Sequence, residues 1–205
     1  MIAARGRGIR MRKYLFIAEK PSLMRDIQKV YGKYRAQICS AIDGECVFVA
    51  LAGHVCGFAT PSEYRQWDRK WYELQLPMVP DPWVIRVNPR SKDIYRDVTA
   101  AFRDNHCDGI IVGTDSDVEG NGIYYLLEQK AGWGKVPAFR FFLDDQTEKG
   151  ILMAFTSLTD IHSFPRDVRM TESWLLRAKY DWLVGMNMTV AVTLKQGKLM
   201  KIGRV

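Results

Sequence analysis

No stretch of the 205-residue sequence approaches the ~20 consecutive apolar residues that a bilayer-spanning helix needs, so a membrane role is not expected. The first ten residues, MIAARGRGIR, lack the apolar core of a signal peptide. They read as the start of a basic, disordered leader, with Met11 as an alternative start. The cysteines at 39, 46, 56 and 107 form no CxxC pair and no zinc-ligand spacing, which leaves buried thiols in a reducing cytoplasm as the expectation. Internal repeats and low-complexity tracts are missing too, which argues against a solenoid. What is present is 47% hydrophobic content, enough for the core of one domain or somewhat more.

The net charge of +7 matters less than its placement. Residues 1 to 13 carry five Arg or Lys and no acid, residues 166 to 205 carry eight bases against three acids, and the stretch between them is left at −3. Basic ends around an acidic middle suit an enzyme that grips a phosphodiester backbone at its periphery and holds a cation at its centre. The plainer reading is a solvated helix face and a solubilising leader.

The chain is organised around Asp108 to Gly122, DGIIVGTDSDVEGNG. The β-branched run Ile110, Ile111, Val112 predicts a strand covered on both faces. It breaks into Asp115, Asp117 and Glu119 at alternate positions, after which Ile123, Tyr124, Leu126 and Leu127 take up helical spacing. Acids beyond the carboxyl end of a strand lie where open α/β sheets bind ligands. Hard oxygen donors suit a divalent cation, Mg²⁺ above all. A solvated loop whose Asp residues cap the helix accounts for the same pattern.

Around that centre the chain repeats one arrangement. Tyr14 to Ala18 is a strand ending in Glu19-Lys20-Pro21-Ser22, with Ser22 placed to cap a helix that Gly32 ends. If the two strands are parallel neighbours, Glu19 joins the three acids, and crowding raises at least one carboxyl towards general-acid range. Cys46 to Ala52 is a third strand, followed by Gly53-His54; His54 is placed to meet phosphate or to serve as a structural hydrogen-bonder. Residues 60 to 89 mix Trp67, Trp71, Tyr72 and Trp83 with Pro61, Pro77, Pro80 and Pro82 and read as a packed loop more than a base-stacking platform. A helix over 92 to 105 leads into the central strand. Ala138 to Leu143 forms a further strand ending in Asp144 and Asp145, and Thr147 and Glu148 start a helix. The fold class is therefore α/β, a mainly parallel sheet flanked by helices. Residues 158 to 170 read as a polar connector, and 172 to 194 as a helix interrupted near Gly185 that begins another domain.

EKPS after the first strand, DxDxEG after a later one, RAKYDWLVGMNMT and IGRV, in this order, resemble the N-terminal part of type IA DNA topoisomerases, nearest their topoisomerase III branch. The resemblance implies a Toprim domain over 14 to 157 after a leader at 1 to 13, then the truncated start of a helical DNA-binding domain at 158 to 205. It implies Glu19 and Lys20 as catalytic groups, Asp115, Asp117 and Glu119 as Mg²⁺ ligands with Mn²⁺ as substitute, and His54, Arg177 and Asp181 as DNA-contacting residues. DNA, in single-stranded segments, is the implied partner, for strand cleavage and rejoining during relaxation or decatenation. The sequence departs from the family at DSDVEG, where Val118 stands for an expected base, and at Val190, where an Arg usually follows the NxT turn. The family's attacking tyrosine has no counterpart in context here, so the chain is expected to need further topoisomerase domains, in cis or in trans. Two other readings remain open: a self-sufficient Toprim nuclease, and a non-catalytic DNA-binding remnant.

Overall fold

A computed structural model describes residues 10–196; the first nine residues of the leader and the closing IGRV lie outside the described residues. The chain gathers into two compact units. Among the described residues, one holds 10–51, Arg96–Ser116 and Val136–Ile161; the other holds Ala52–Tyr95, Asp117–Lys135 and 162–196.

The first unit is a five-stranded sheet. Its strands are β1 (Arg12–Ala18), β2 (Gly44–Ala50), β5 (Gly109–Gly113), β6 (Ala138–Arg140) and β7 (Thr159–Asp160). The order is β2-β1-β5-β6-β7, all parallel except the short β7. Every residue of β5 and all of Tyr14 to Ala18 are buried, as the uninterrupted apolar runs require of central parallel strands. The helices α1 (Pro21–Lys33), α2 (Arg35–Ile42) and α5 (Glu148–Thr156) belong to this unit. Leu23, Ile27 and Val30 of α1, Ile38 of α2 and Phe155 of α5 form one core with Tyr14, Phe16 and Ile111 of the sheet. After β1 the chain moves to one side of the sheet, and after β5 to the other. The carboxyl ends of β1 and β5 thus flank the switch point where open α/β sheets bind ligands.

The second unit is built on α4 (Val118–Ala131), α6 (Pro165–Gln196) and the antiparallel pair β3 (Cys56–Phe58) with β4 (Ile85–Val87). Helix α3 (Lys92–Asp104) leads into β5. Tyr64 and Met78 of the proline-rich loop are buried with Trp182 and Val190 of α6, and Trp67 and Trp83 pack against them. Trp182 donates its indole N–H to the Ala59 carbonyl at 2.8 Å. The Asn187 amide pairs with both backbone groups of Met78, at 2.6 and 2.9 Å. The loop is held by packing, as its composition predicts.

Several boundaries differ from the sequence reading. Lys20, not Ser22, is the N-cap of α1, because Pro21 occupies the first helical position and carries the start two residues earlier. Gly32 lies inside α1, and α2, with only Ile38 and Ile42 buried, carries too thin an apolar stripe to be read from sequence. Helix α6 starts at Pro165 and runs through a buried Gly185 without a break. Val190 is 2% exposed, so an arginine there would bury its charge in the aromatic core, and valine fills the space instead.

Candidate active site

The parallel register pairs Ala18 of β1 with Gly113 of β5, so both strands end level. Glu19 leaves the first and Thr114-Asp115 the second. The Asp115 amide donates to Glu19 Oε2 at 2.8 Å. The two acidic junctions that the sequence separates by 96 residues are thereby joined in the first unit.

Beneath this edge lies a residue that the sequence reading passed over. Arg140, at the end of β6, is fully buried, and its guanidinium donates to the Thr114 carbonyl at 3.0 Å and to Thr114 Oγ1 at 3.1 Å. It thus fixes the backbone immediately before Asp115. The only sequence signal was a charged residue inside an apolar run, AFRFFL. Leu23, Thr114, Asp115, Phe141, Asp144 and Asp145 line a cleft of about 100 Å³ at this end of the sheet. Lys20 is exposed at the start of α1.

Asp117 and Glu119 belong to the second unit. Asp117 is the N-cap of α4 and accepts from the Gly120 amide at 2.7 Å, so the capping role is real whatever else it does. Glu119 sits in the first turn, where the helix dipole favours a carboxylate. Its Oε1 meets His54 Nε2 at 2.8 Å and Trp174 Nε1 at 3.2 Å, and its Oε2 accepts from Arg177. Gly53, with a φ of 71°, makes the turn that presents His54. The His54 ring stacks near Trp174 with centroids 6.5 Å apart.

Trp174 is the second residue whose role the sequence did not reveal, lying within the stretch 172 to 194 read only as a helix. It is buried on α6, and a Cβ on Gly122 of α4 would lie 2.1 Å from its ring. Glycine at 122 therefore admits the indole that reaches Glu119. Asn121 ties the same helices together, donating to the Asp167 carbonyl at 3.0 Å. Asp181 is exposed four residues beyond Arg177; among the described residues, no hydrogen bond or ion pair joins it to this cluster.

Glu119 is not a carboxyl that crowding raises. Burial alone would raise this carboxyl, but the bonds from Trp174 and Arg177, with the charges of His54 and Arg177, outweigh it and hold it below its usual range. Its partners are the Trp174 indole, the His54 ring and the Arg177 guanidinium. As a donor set for Mg²⁺ the acids are suitable, being hard oxygens throughout. Among the described residues, no three His, Cys, Asp or Glu side chains are gathered so as to hold a metal ion.

Comparison with known proteins places these features in a family context. The Toprim domain model matches residues 14–143. A relative from Staphylococcus aureus (strain bovine RF122 / ET3-1) is 31% identical over 193 residues. The DNA topoisomerase 3 of Staphylococcus epidermidis (strain ATCC 12228 / FDA PCI 1200) is 30% identical over 194 residues, and that of Staphylococcus aureus (strain USA300) 30% over 193. Each alignment takes in 94% of this chain but 27% of the relative, so the chain spans about a quarter of their length.

Proposed function

This chain belongs to the Toprim domain family, and from that premise we propose that it is the N-terminal module of a type IA DNA topoisomerase, handling the phosphodiester during single-strand cleavage and rejoining. The observation that carries the reading is the meeting of Glu19 and Asp115 at the switch point of the sheet, joined by the 2.8 Å bond from the Asp115 amide. Likeness to proteins named DNA topoisomerase 3 over 94% of the chain supports it.

On this reading Asp115, Asp117 and Glu119 hold Mg²⁺, with Mn²⁺ as a substitute. Held there, the ion would supply charge neutralisation at the scissile phosphate. Glu19, at the strand end, manages the proton of the departing or returning 3′ hydroxyl, and Lys20 beside it steadies the phosphate. His54 and Arg177 bind the DNA backbone, with Asp181 on the same helix. Positioning and electrostatics carry most of the work at phosphorus. The attacking tyrosine comes from regions corresponding to the rest of the relatives' length, in the same polypeptide or another. The reading takes the module to work in the cytoplasm, where a DNA substrate would be met. No described helix is long and apolar enough to cross a membrane.

Binding to a fluorescein-labelled oligothymidylate, followed by anisotropy across a salt series, tests the reading. Binding that weakens with salt, with a log–log slope reduced by about one in Arg177→Ala, is the expected result. No binding at low salt contradicts it.

A further inference from the structure

The inference rests on the proposed metal and phosphodiester site and concerns how its two ligands affect each other. Both oxygens of Glu119 are engaged, one by His54 and Trp174 and the other by Arg177. A carboxylate so occupied offers little to a hard cation, which would also meet the positive charge of Arg177. Yet the three partners are not equivalent. Trp174 is 4% exposed and wedged over Gly122, so it stays. The side chains of His54 and Arg177 are 42% and 55% exposed, and an anion from solvent can reach both.

We propose that this cluster is an exchange switch: a phosphodiester group takes Arg177 and His54 from Glu119, and the released carboxylate becomes available to a divalent cation. Phosphodiester and cation then tighten each other's binding. The exchange is cheap, because solvent-exposed ion pairs contribute little, while two charge-assisted bonds to phosphate replace them. By linkage the two ligands must strengthen each other by the same factor. A cation that simply bridges protein and phosphate would also produce coupling, but that coupling does not need Arg177.

The test uses the 205-residue chain, Mn²⁺, and a labelled oligothymidylate of about eight nucleotides. Mn²⁺ is expected to tighten oligonucleotide binding about 5-fold or more in the wild type. The factor falls to about one in Arg177→Met and in Glu119→Gln, each compared at unchanged melting temperature. If Arg177→Met no longer holds the oligonucleotide, Mn²⁺ affinity measured alone by electron paramagnetic resonance decides: tighter than wild type supports the switch, unchanged overturns it. Coupling that survives intact in Arg177→Met overturns the switch while leaving the site reading in place, as does binding of both ligands without coupling. A wild-type chain that binds neither Mn²⁺ nor oligonucleotide overturns the site reading and the switch with it.

Discussion

Glu19 and Asp115 are bound to each other through a single hydrogen bond, from the backbone amide of one to the side chain of the other, at 2.8 Å. The bond closes the sheet edge on which the proposed chemistry depends. Glu19→Gln keeps an acceptor there, whereas Glu19→Ala removes it. Glu19→Ala is expected to lose about 1 kcal/mol in urea unfolding and Glu19→Gln less, since the bond is exposed to water. Equal losses in both variants would mean that the carboxylate charge, not the bond, holds the edge.

Gly122 is expected to tolerate no side chain. An added Cβ would overlap the ring of Trp174, which is itself buried. Gly122→Ala should cost about 2 kcal/mol and shift tryptophan emission to the red as the indole is pushed towards solvent. An unshifted spectrum with native stability would refute the tight fit.

Arg140 should be among the most sensitive positions in the first unit. Replacing its buried guanidinium by methionine leaves the Thr114 carbonyl and hydroxyl without those bonds. A loss of about 3 kcal/mol is expected for Arg140→Met, measured by denaturant midpoint. A loss below about 1 kcal/mol would mean that the loop before Asp115 is held by something else.

Acid should destabilise the fold through carboxylates held low by their partners. The Asp108 carboxyl is lowered by the Lys13 amide and then by Arg10, and the Glu148 carboxyl by Lys33 and then Tyr34. Glu119 is lowered against its own burial. A carboxyl lowered on folding contributes stability above its unfolded value, here 3.8 for Asp108 and 4.5 for the two glutamates, and loses it as pH falls through the folded value. Melting temperature should therefore hold from pH 7 to about pH 5 and decline below. Glu148→Gln should melt lower at pH 7 and decline less steeply; a parallel curve would exclude the Lys33 pair as a contributor.

Much of the fold was legible because its central strands are uninterrupted apolar runs. Tyr14 to Ala18 and Gly109 to Gly113 announce buried parallel strands, and their ends announce Glu19 and Asp115. Three-residue strands such as β3 and β4 carry no periodicity to read, and β6 stops at Arg140 although the apolar run continues to Leu143. At the site, the acids were visible because they are close in sequence. The partners of Glu119 were harder, since Trp174 and Arg177 lie 55 and 58 residues further on. Arg177 was singled out only by a family likeness, and nothing local distinguished Trp174 from the other apolar residues of α6. Helical spacing marks a buried face, but it does not say which buried ring also donates a hydrogen bond.

Incubating the 205-residue chain with negatively supercoiled plasmid, with Mg²⁺ or Mn²⁺ and with chelator, beside Asp117→Asn, tests the central claim most directly. The account predicts plasmid retarded on the gel but neither nicked nor relaxed, as expected of a phosphodiester-handling module that relies on a tyrosine from elsewhere. Nicking that requires both the metal and Asp117 would contradict it and make the chain a Toprim nuclease in its own right.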